Sequence, residues 1–183
     1  MEYQVFIALA AVAVIGFVLL YNRFVKKKNR LEEAWSGIDV QLKRRANLIP
    51  NLVETVKGYT RHEQRTLDEV TRLRTGSAAP ETVTERSAEE NKVTSALRHL
   101  LAVAENYPEL KANTGFVQLQ GQLDEVEEQI QYARRYYNGA VRDWNIMVES
   151  FPSNLVANVF DFVQADFFEI DSIAEREVPK VSF

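Results

Sequence analysis

The chain has no cysteine, and its 183 residues include only two histidines. Without thiols there is no disulfide framework, no thiol nucleophile and no thiolate metal site, and the composition suits a reducing compartment. His62-Glu63 opens like a zinc-protease motif, but the residue four after His62 is Thr66, so no second imidazole completes it. His99 has no neighbouring His or Cys and reads as a packed or solvent-facing side chain. No G-x-x-x-x-G-K-[ST] loop cradles phosphate, and no G-x-S-x-G elbow presents a nucleophile. The adjacent carboxylates Glu127 and Glu128 fall on a solvated face. The sequence therefore assigns no catalytic residue, no metal site and no cofactor.

Positive charge is also scarce where a nucleic-acid binder would need it. The formal net charge is −4, and setting aside the first thirty residues, with five basic side chains and one acid, leaves the remainder near −8. Such a body repels phosphate backbones, which call for clustered Lys and Arg. Nucleic acid is excluded as a partner.

What the chain does have is a long apolar run. Tyr3 to Tyr21 carries no charge, and Gln4 is its one strongly polar side chain. Nineteen helical residues at about 1.5 Å each span about 28 Å, the thickness of a bilayer's hydrocarbon core. A tyrosine at each end suits the interfacial belt. Basic residues follow the run instead of preceding it, the reverse of a cleaved signal peptide, so the run reads as a retained anchor. Arg23, Lys26, Lys27, Lys28 and Arg30 lie close behind it. Positive charge stays with the cytoplasm, which places the N-terminus outside and everything after residue 22 inside. The same five residues are candidates for contact with anionic headgroups, at about 1 kcal/mol each.

Beyond the anchor, apolar residues recur in steps of three and four. Leu31, Trp35, Ile38, Leu42, Ile49, Leu52, Val53, Val56, Leu67, Val70 and Leu73 make one buried stripe, predicting a helix continuous with the anchor and reaching residue 74. Pro50 removes a donor to Ala46 and predicts a kink. Arg45 and Glu63 fall on the stripe, so each is either paired in a polar layer or placed at a contact between subunits. Thr75–Pro80 reads as a mobile connection. A second helix carries Val93, Leu97, Leu100, Leu101 and Ala104, with Thr84 or Ser87 as its N-cap, and ends before Pro108. The most regular pattern runs Phe116, Leu119, Leu123, Val126, Ile130, Ala133, Tyr137, Val141, Trp144, Val148. It predicts a third long helix in an antiparallel bundle, or a coiled coil between chains. Arg134, Asn138 and Asn145 edge that stripe as a register-fixing polar layer. Pro152 ends it, and Ser153 or Asn154 is placed to cap a short fourth helix. Leu155, Val156, Val159, Phe160, Phe162, Val163, Phe167, Phe168 and Ile170 exceed what closing a bundle requires. They read as a strap over the core, or in part as an exposed patch for another subunit, a partner or the bilayer surface, with Phe160, Phe162, Phe167 and Phe168 the candidate interaction surface. The acidity of 161–177 argues against anionic lipid and for a protein partner or plain solvation.

Several stretches in order resemble the LemA family of bacterial membrane proteins. They include Glu32-Glu33-Ala34-Trp35-Ser36, Ile38-Asp39-Val40-Gln41-Leu42-Lys43-Arg44-Arg45 and Asn47-Leu48-Ile49-Pro50-Asn51-Leu52-Val53. Later come Glu105-Asn106-Tyr107-Pro108-Glu109-Leu110-Lys111-Ala112-Asn113, Arg134-Arg135-Tyr136-Tyr137-Asn138 and Phe151-Pro152-Ser153-Asn154-Leu155-Val156-Ala157. The resemblance implies one N-terminal membrane helix with its N-terminus outside and an all-helical bundle behind it, and it supplies no catalytic residues. Magnetosome-forming bacteria use a relative in building an organelle membrane, which implies a membrane-organising role.

The expected architecture is all-α: a transmembrane helix continuing into an antiparallel bundle of three long helices plus a short fourth. Residues 1–21 form the external end and span, 22–30 the basic segment, 31–177 the bundle and 178–183 a flexible tail. The expected function is a non-enzymatic scaffold that self-assembles at the cytoplasmic face of a bacterial inner membrane. Its expected partners are membrane lipids and further copies of itself. The alternative is an adaptor or regulator presenting the bundle to a membrane protease or an envelope-stress partner, through the acidic stretch Asp166–Glu177.

Overall fold

A computed structural model describes residues 1–59, 64–75 and 82–169. Among these residues every regular element is helical: α1 (Glu2–Lys57), α2 (Gln64–Thr75), α3 (Val83–Ala104), α4 (Pro108–Lys111), α5 (Thr114–Glu149) and α6 (Ser153–Val159). The all-α class stands, with six helices among the described residues where four were expected.

α1 runs 56 residues without interruption, about 84 Å at the usual rise. Pro50 lies inside it and does not split it. The expected continuation to residue 74 fails at Gly58, the poorest helix former after proline. There Tyr59 N–H turns back to the Val56 carbonyl at 3.0 Å. Glu63, His62 and the connection at 76–80 lie outside the described residues.

Caps account for the other starts. α3 begins one turn earlier than expected, because Thr82-Val83-Thr84-Glu85 has the same spacing as Ser87–Glu90. Thr82 Oγ1 accepts from Glu85 N–H at 3.1 Å, and Glu85 Oε2 accepts from Thr82 N–H at 3.2 Å. Neither Thr84 nor Ser87 is the cap; Ser87 is buried and gives its hydroxyl to the Glu169 carbonyl. α4 starts on Pro108, whose missing N–H costs nothing at that position. Asn113 opens α5 by accepting from Phe116 N–H at 3.0 Å. A Cβ on Gly115 would stand 3.1 Å from the accepting Asn113 Oδ1, so the absent side chain keeps that cap unobstructed. α6 has Pro152 at its N-cap, not Ser153 or Asn154; the Ser153 hydroxyl instead donates to the Ser150 carbonyl at 2.8 Å.

The chain divides into two compact units. One holds Met1–Val40 with Ile130–Phe167, and the other holds Gln41–Gln129 with the chain from Phe168. In the second unit Ile49, Leu52, Val56, Leu67, Val70, Leu97, Leu100, Leu110 and Leu123 form one buried cluster. Arg45, one turn before Ile49 on α1 and fully buried, donates to Glu127 at 3.0 Å, to Thr94 Oγ1 at 2.8 Å and to Glu90. It belongs to a polar layer within the chain. In the first unit Phe24, Trp144, Val156 and Ala157 are buried together. Phe24 meets Trp144 and Lys27 meets Asp143, while further along α1 Arg30 meets Tyr136 and Trp35 meets Tyr137. The two helices therefore run in opposite directions in this unit.

Candidate functional site

The first nineteen residues of α1 expose nearly all their side chains, Phe6, Ile7, Leu9, Val12, Ile15 and Leu19 among them. Water does not tolerate such a surface for its whole length, and α1 is the one described helix long and apolar enough to cross a membrane. At Leu20 and Tyr21 the environment changes, and both pack against the buried group around Phe24 and Trp144. The candidate site is built at this junction, where the apolar segment becomes part of a folded body.

Two kinds of contact hold the junction. The first is aromatic. The Phe24 ring lies 5.5 Å from Trp144 and 4.8 Å from Phe162, and Trp144 lies 5.5 Å from Phe162, with both Trp144 contacts edge-on. Each such pair adds about 0.5–1.5 kcal/mol beyond the area it buries. The second is polar. Lys27 donates to Asp143 at 2.7 Å, a bond that holds the Asp143 carboxyl below its ordinary range. Arg30 Nε donates to the Tyr136 hydroxyl at 3.3 Å, with the guanidinium 5.4 Å from the ring centre.

The five basic residues thus divide by role. Lys27 and Arg30 face α5 and fasten α1 to it. Lys28 stands at the edge of reach of Glu32, 4.0 Å away on the same helix. Arg23 and Lys26 are exposed and pair with nothing among the described residues, leaving their charge to solvent or to headgroups.

The four phenylalanines divide as well. Phe162 is half-buried in the aromatic group, and Phe168 is buried in the second unit. Phe160 and Phe167 keep part of each ring exposed. Phe160 lies 4.6 Å from Tyr21 and 6.0 Å from Phe17, against the end of the apolar run itself. After α6 the chain continues as an extended strap whose carbonyls are held by α5. Trp144 Nε1 donates to Val163 at 2.8 Å, and the Tyr137 hydroxyl donates to Asp166 at 3.1 Å. Asn145 makes two bonds with Ala165, at 3.0 and 2.8 Å. The strap reading of this stretch holds for 162–166. The register-fixing role of Asn145 is exercised on the strap and not between helices.

Sequence reasoning missed Asp143, Tyr136 and Trp144 as the partners that hold the junction, because pairing across more than a hundred residues leaves no local pattern. It also missed Phe151, which stands four residues before Leu155 and eight before Val159 and so was legible as part of the same apolar excess.

A model of the LemA family matches residues 34–183. The chain belongs to the LemA family. The match covers the body after the span, so membership rests on the folded part. Among named relatives, Protein LemA of Metamycoplasma hominis is 25% identical over 158 residues, covering 86% of this chain and 72% of the relative. Magnetosome protein MamQ 2 of Paramagnetospirillum magneticum is 26% identical over 188 residues, covering 88% and 69%. Magnetosome protein MamQ of Magnetospirillum gryphiswaldense is 20% identical over 195 residues, covering 90% and 72%. None of these names is that of an enzyme. LemA-family membership thus joins a helical body to an apolar N-terminal helix of spanning length.

Proposed function

We propose that this LemA-family protein is a non-enzymatic, membrane-anchored scaffold that self-assembles at the cytoplasmic face of a bacterial inner membrane. The observation that carries the proposal is the continuity of α1. One helix passes from the exposed apolar segment into the folded body with no loop between them, and Phe24, Lys27 and Arg30 lock it to α5 immediately afterwards. A flexible tether would let a body tumble above the membrane; this junction transmits the orientation of the span to the body. That is a requirement for ordering membrane by packing copies side by side, and it is consistent with the magnetosome names among the relatives. The basic residues after the span support the inside placement of the body.

The surface for self-contact follows from what is already used. The stripe on α5 buries Phe116, Leu123, Val126, Ile130, Tyr137, Val141 and Trp144 within the chain. It is not free to make a coiled coil with a second copy. The span before Phe17 keeps its side chains exposed, and Gly16 has nothing within 4 Å of a Cβ position, so a neighbouring helix can approach closely there. The adaptor alternative relies on Asp166–Glu177, most of which lies outside the described residues.

The test uses the native absence of cysteine. Ala13→Cys in the full chain, oxidised in native membranes, is expected to give a disulfide-linked dimer. Glu128→Cys on the exposed side of α5 is expected to stay monomeric. Absence of crosslinking at Ala13 and at its neighbours around one turn of the span would overturn self-contact through the anchor.

A further inference from the structure

α6 is short, but its two sides differ sharply. Val156 and Ala157 are buried against Phe24 and Trp144. Leu155 and Val159, four apart on the other side, are 54% and 64% exposed. The residues on either side of the helix continue this surface: Phe151 is 79% exposed, Phe160 43% and Val163 73%. From Ser150 to Ala165 the only charged side chain is Asp161. A surface with five exposed large apolar side chains and a single charge is not a solvated face.

Its position identifies the occupant. Phe160 packs on both Phe17 and Tyr21. Those residues are one helical turn apart, about 6 Å along α1. In the membrane reading on which this inference rests, Tyr21 marks the interfacial boundary and Phe17 lies one turn deeper, so Phe160 stands at the boundary between headgroups and acyl chains. Through Phe160 the exposed residues around α6 join the span at that level. The turn that aims it is fixed. Asp161 adopts a left-handed conformation (φ 53°), Phe162 N–H returns to the Ala157 carbonyl at 2.9 Å, and Trp144 and Asn145 hold the strap beyond. Arg23 and Lys26, exposed on the same stretch of α1, bring positive charge to headgroup level.

We infer that Phe151, Leu155, Val159, Phe160 and Val163 form a second membrane contact, entering the same leaflet surface from which α1 emerges. The lipid interface, not a protein, covers this patch. The contact is hydrophobic and interfacial in kind, like an amphipathic helix lying in the plane of the surface. With the span it makes a two-point attachment, which sets the tilt of the first unit and not only its distance from the bilayer.

The experiment places a single environment-sensitive label at Leu155→Cys, Val159→Cys or Val163→Cys in the full chain, reconstituted in phosphatidylcholine vesicles. Ile15→Cys reports the span and Glu128→Cys reports an exposed body position. Quenchers are a lipid spin-labelled near the head of its acyl chain, one labelled near the tail, and a water-soluble quencher. The expected result is strong quenching of the three α6-region labels by the shallow lipid label and several-fold protection from the aqueous quencher relative to Glu128. Ile15 is expected to respond to the deep label. Quenching at Ile15 with full aqueous access at Val159 and Val163 overturns the second contact and leaves the anchor intact. Protection from water without lipid quenching assigns the patch to a protein contact and overturns the inference equally. Loss of lipid quenching at Ile15 overturns the anchor, and this contact with it.

Discussion

At the scale of single residues the chain spends its buried polarity with economy. Among the described residues Arg45 is the largest fully buried side chain, and it is held by Glu90, Glu127 and Thr94. A buried guanidinium is tolerable only with its charge matched and its donors used. Arg45→Met is expected to lower the stability of the detergent-solubilised protein by about 2–4 kcal/mol, because Glu127 then loses its cation and Glu90, partly buried beside it, keeps only Arg86, 3.2 Å away. Combining it with Glu90→Gln and Glu127→Gln is expected to recover most of the loss, as read by chemical denaturation; independent, additive losses would show that the three do not act as a unit. Tyr137 offers a pH test. Burial, reinforced by Asp166, pushes its phenol from 10.0 up to about 12. A phenol raised in the folded state stabilises fully below pH 10, and the contribution is lost as pH rises from there towards 12. The melting temperature is expected to fall across that window more steeply for the native chain than for Tyr137→Phe. Equal slopes would contradict the assignment.

At the scale of elements, helix α6 shows how a local irregularity serves the whole. Asp161 follows its C-terminus in the left-handed region, a position usually filled by glycine, and the Phe162-to-Ala157 bond closes the end of the helix. Asp161→Gly is expected to raise stability by about 1 kcal/mol by removing the backbone cost, and Asp161→Val to lower it by at least as much; the opposite order in thermal unfolding would contradict this account of the turn. The long elements were legible in the sequence because their periodicity is dense. Ile38, Leu42, Ile49, Leu52 and Val56 on α1, Val93, Leu97 and Leu100 on α3, and Val126, Ile130 and Val141 on α5 are buried as their spacing required. The ends were less legible. Gly58 stops α1 although the apolar spacing continues through Leu67 and Val70, since periodicity records which face is buried and not whether the backbone is continuous. Two neighbouring capping signatures, Thr82–Glu85 and Ser87–Glu90, cannot be ranked without knowing that Ser87 and Glu90 have other partners. Phe160, Phe162, Phe167 and Phe168 were visible as an excess of aromatics. Their division between core and surface depends on which α5 side chains hold the strap, and residue spacing does not encode that.

At the scale of the molecule, a LemA-family body is joined to an apolar helix that enters it without a loop. LemA-family membership follows from residues 34–183, and the proposed anchor, locked to α5, would hold the first unit in a fixed relation to the membrane surface. The central claim is that such bodies assemble side by side. Its most direct measurement is the mass of the full-length protein extracted in native nanodiscs. Each chain weighs 21.0 kDa, so an assembly should appear as a uniform population at a fixed multiple of that mass, unchanged on dilution. A population that stays at one chain per disc over a wide range of protein concentration would contradict the scaffold.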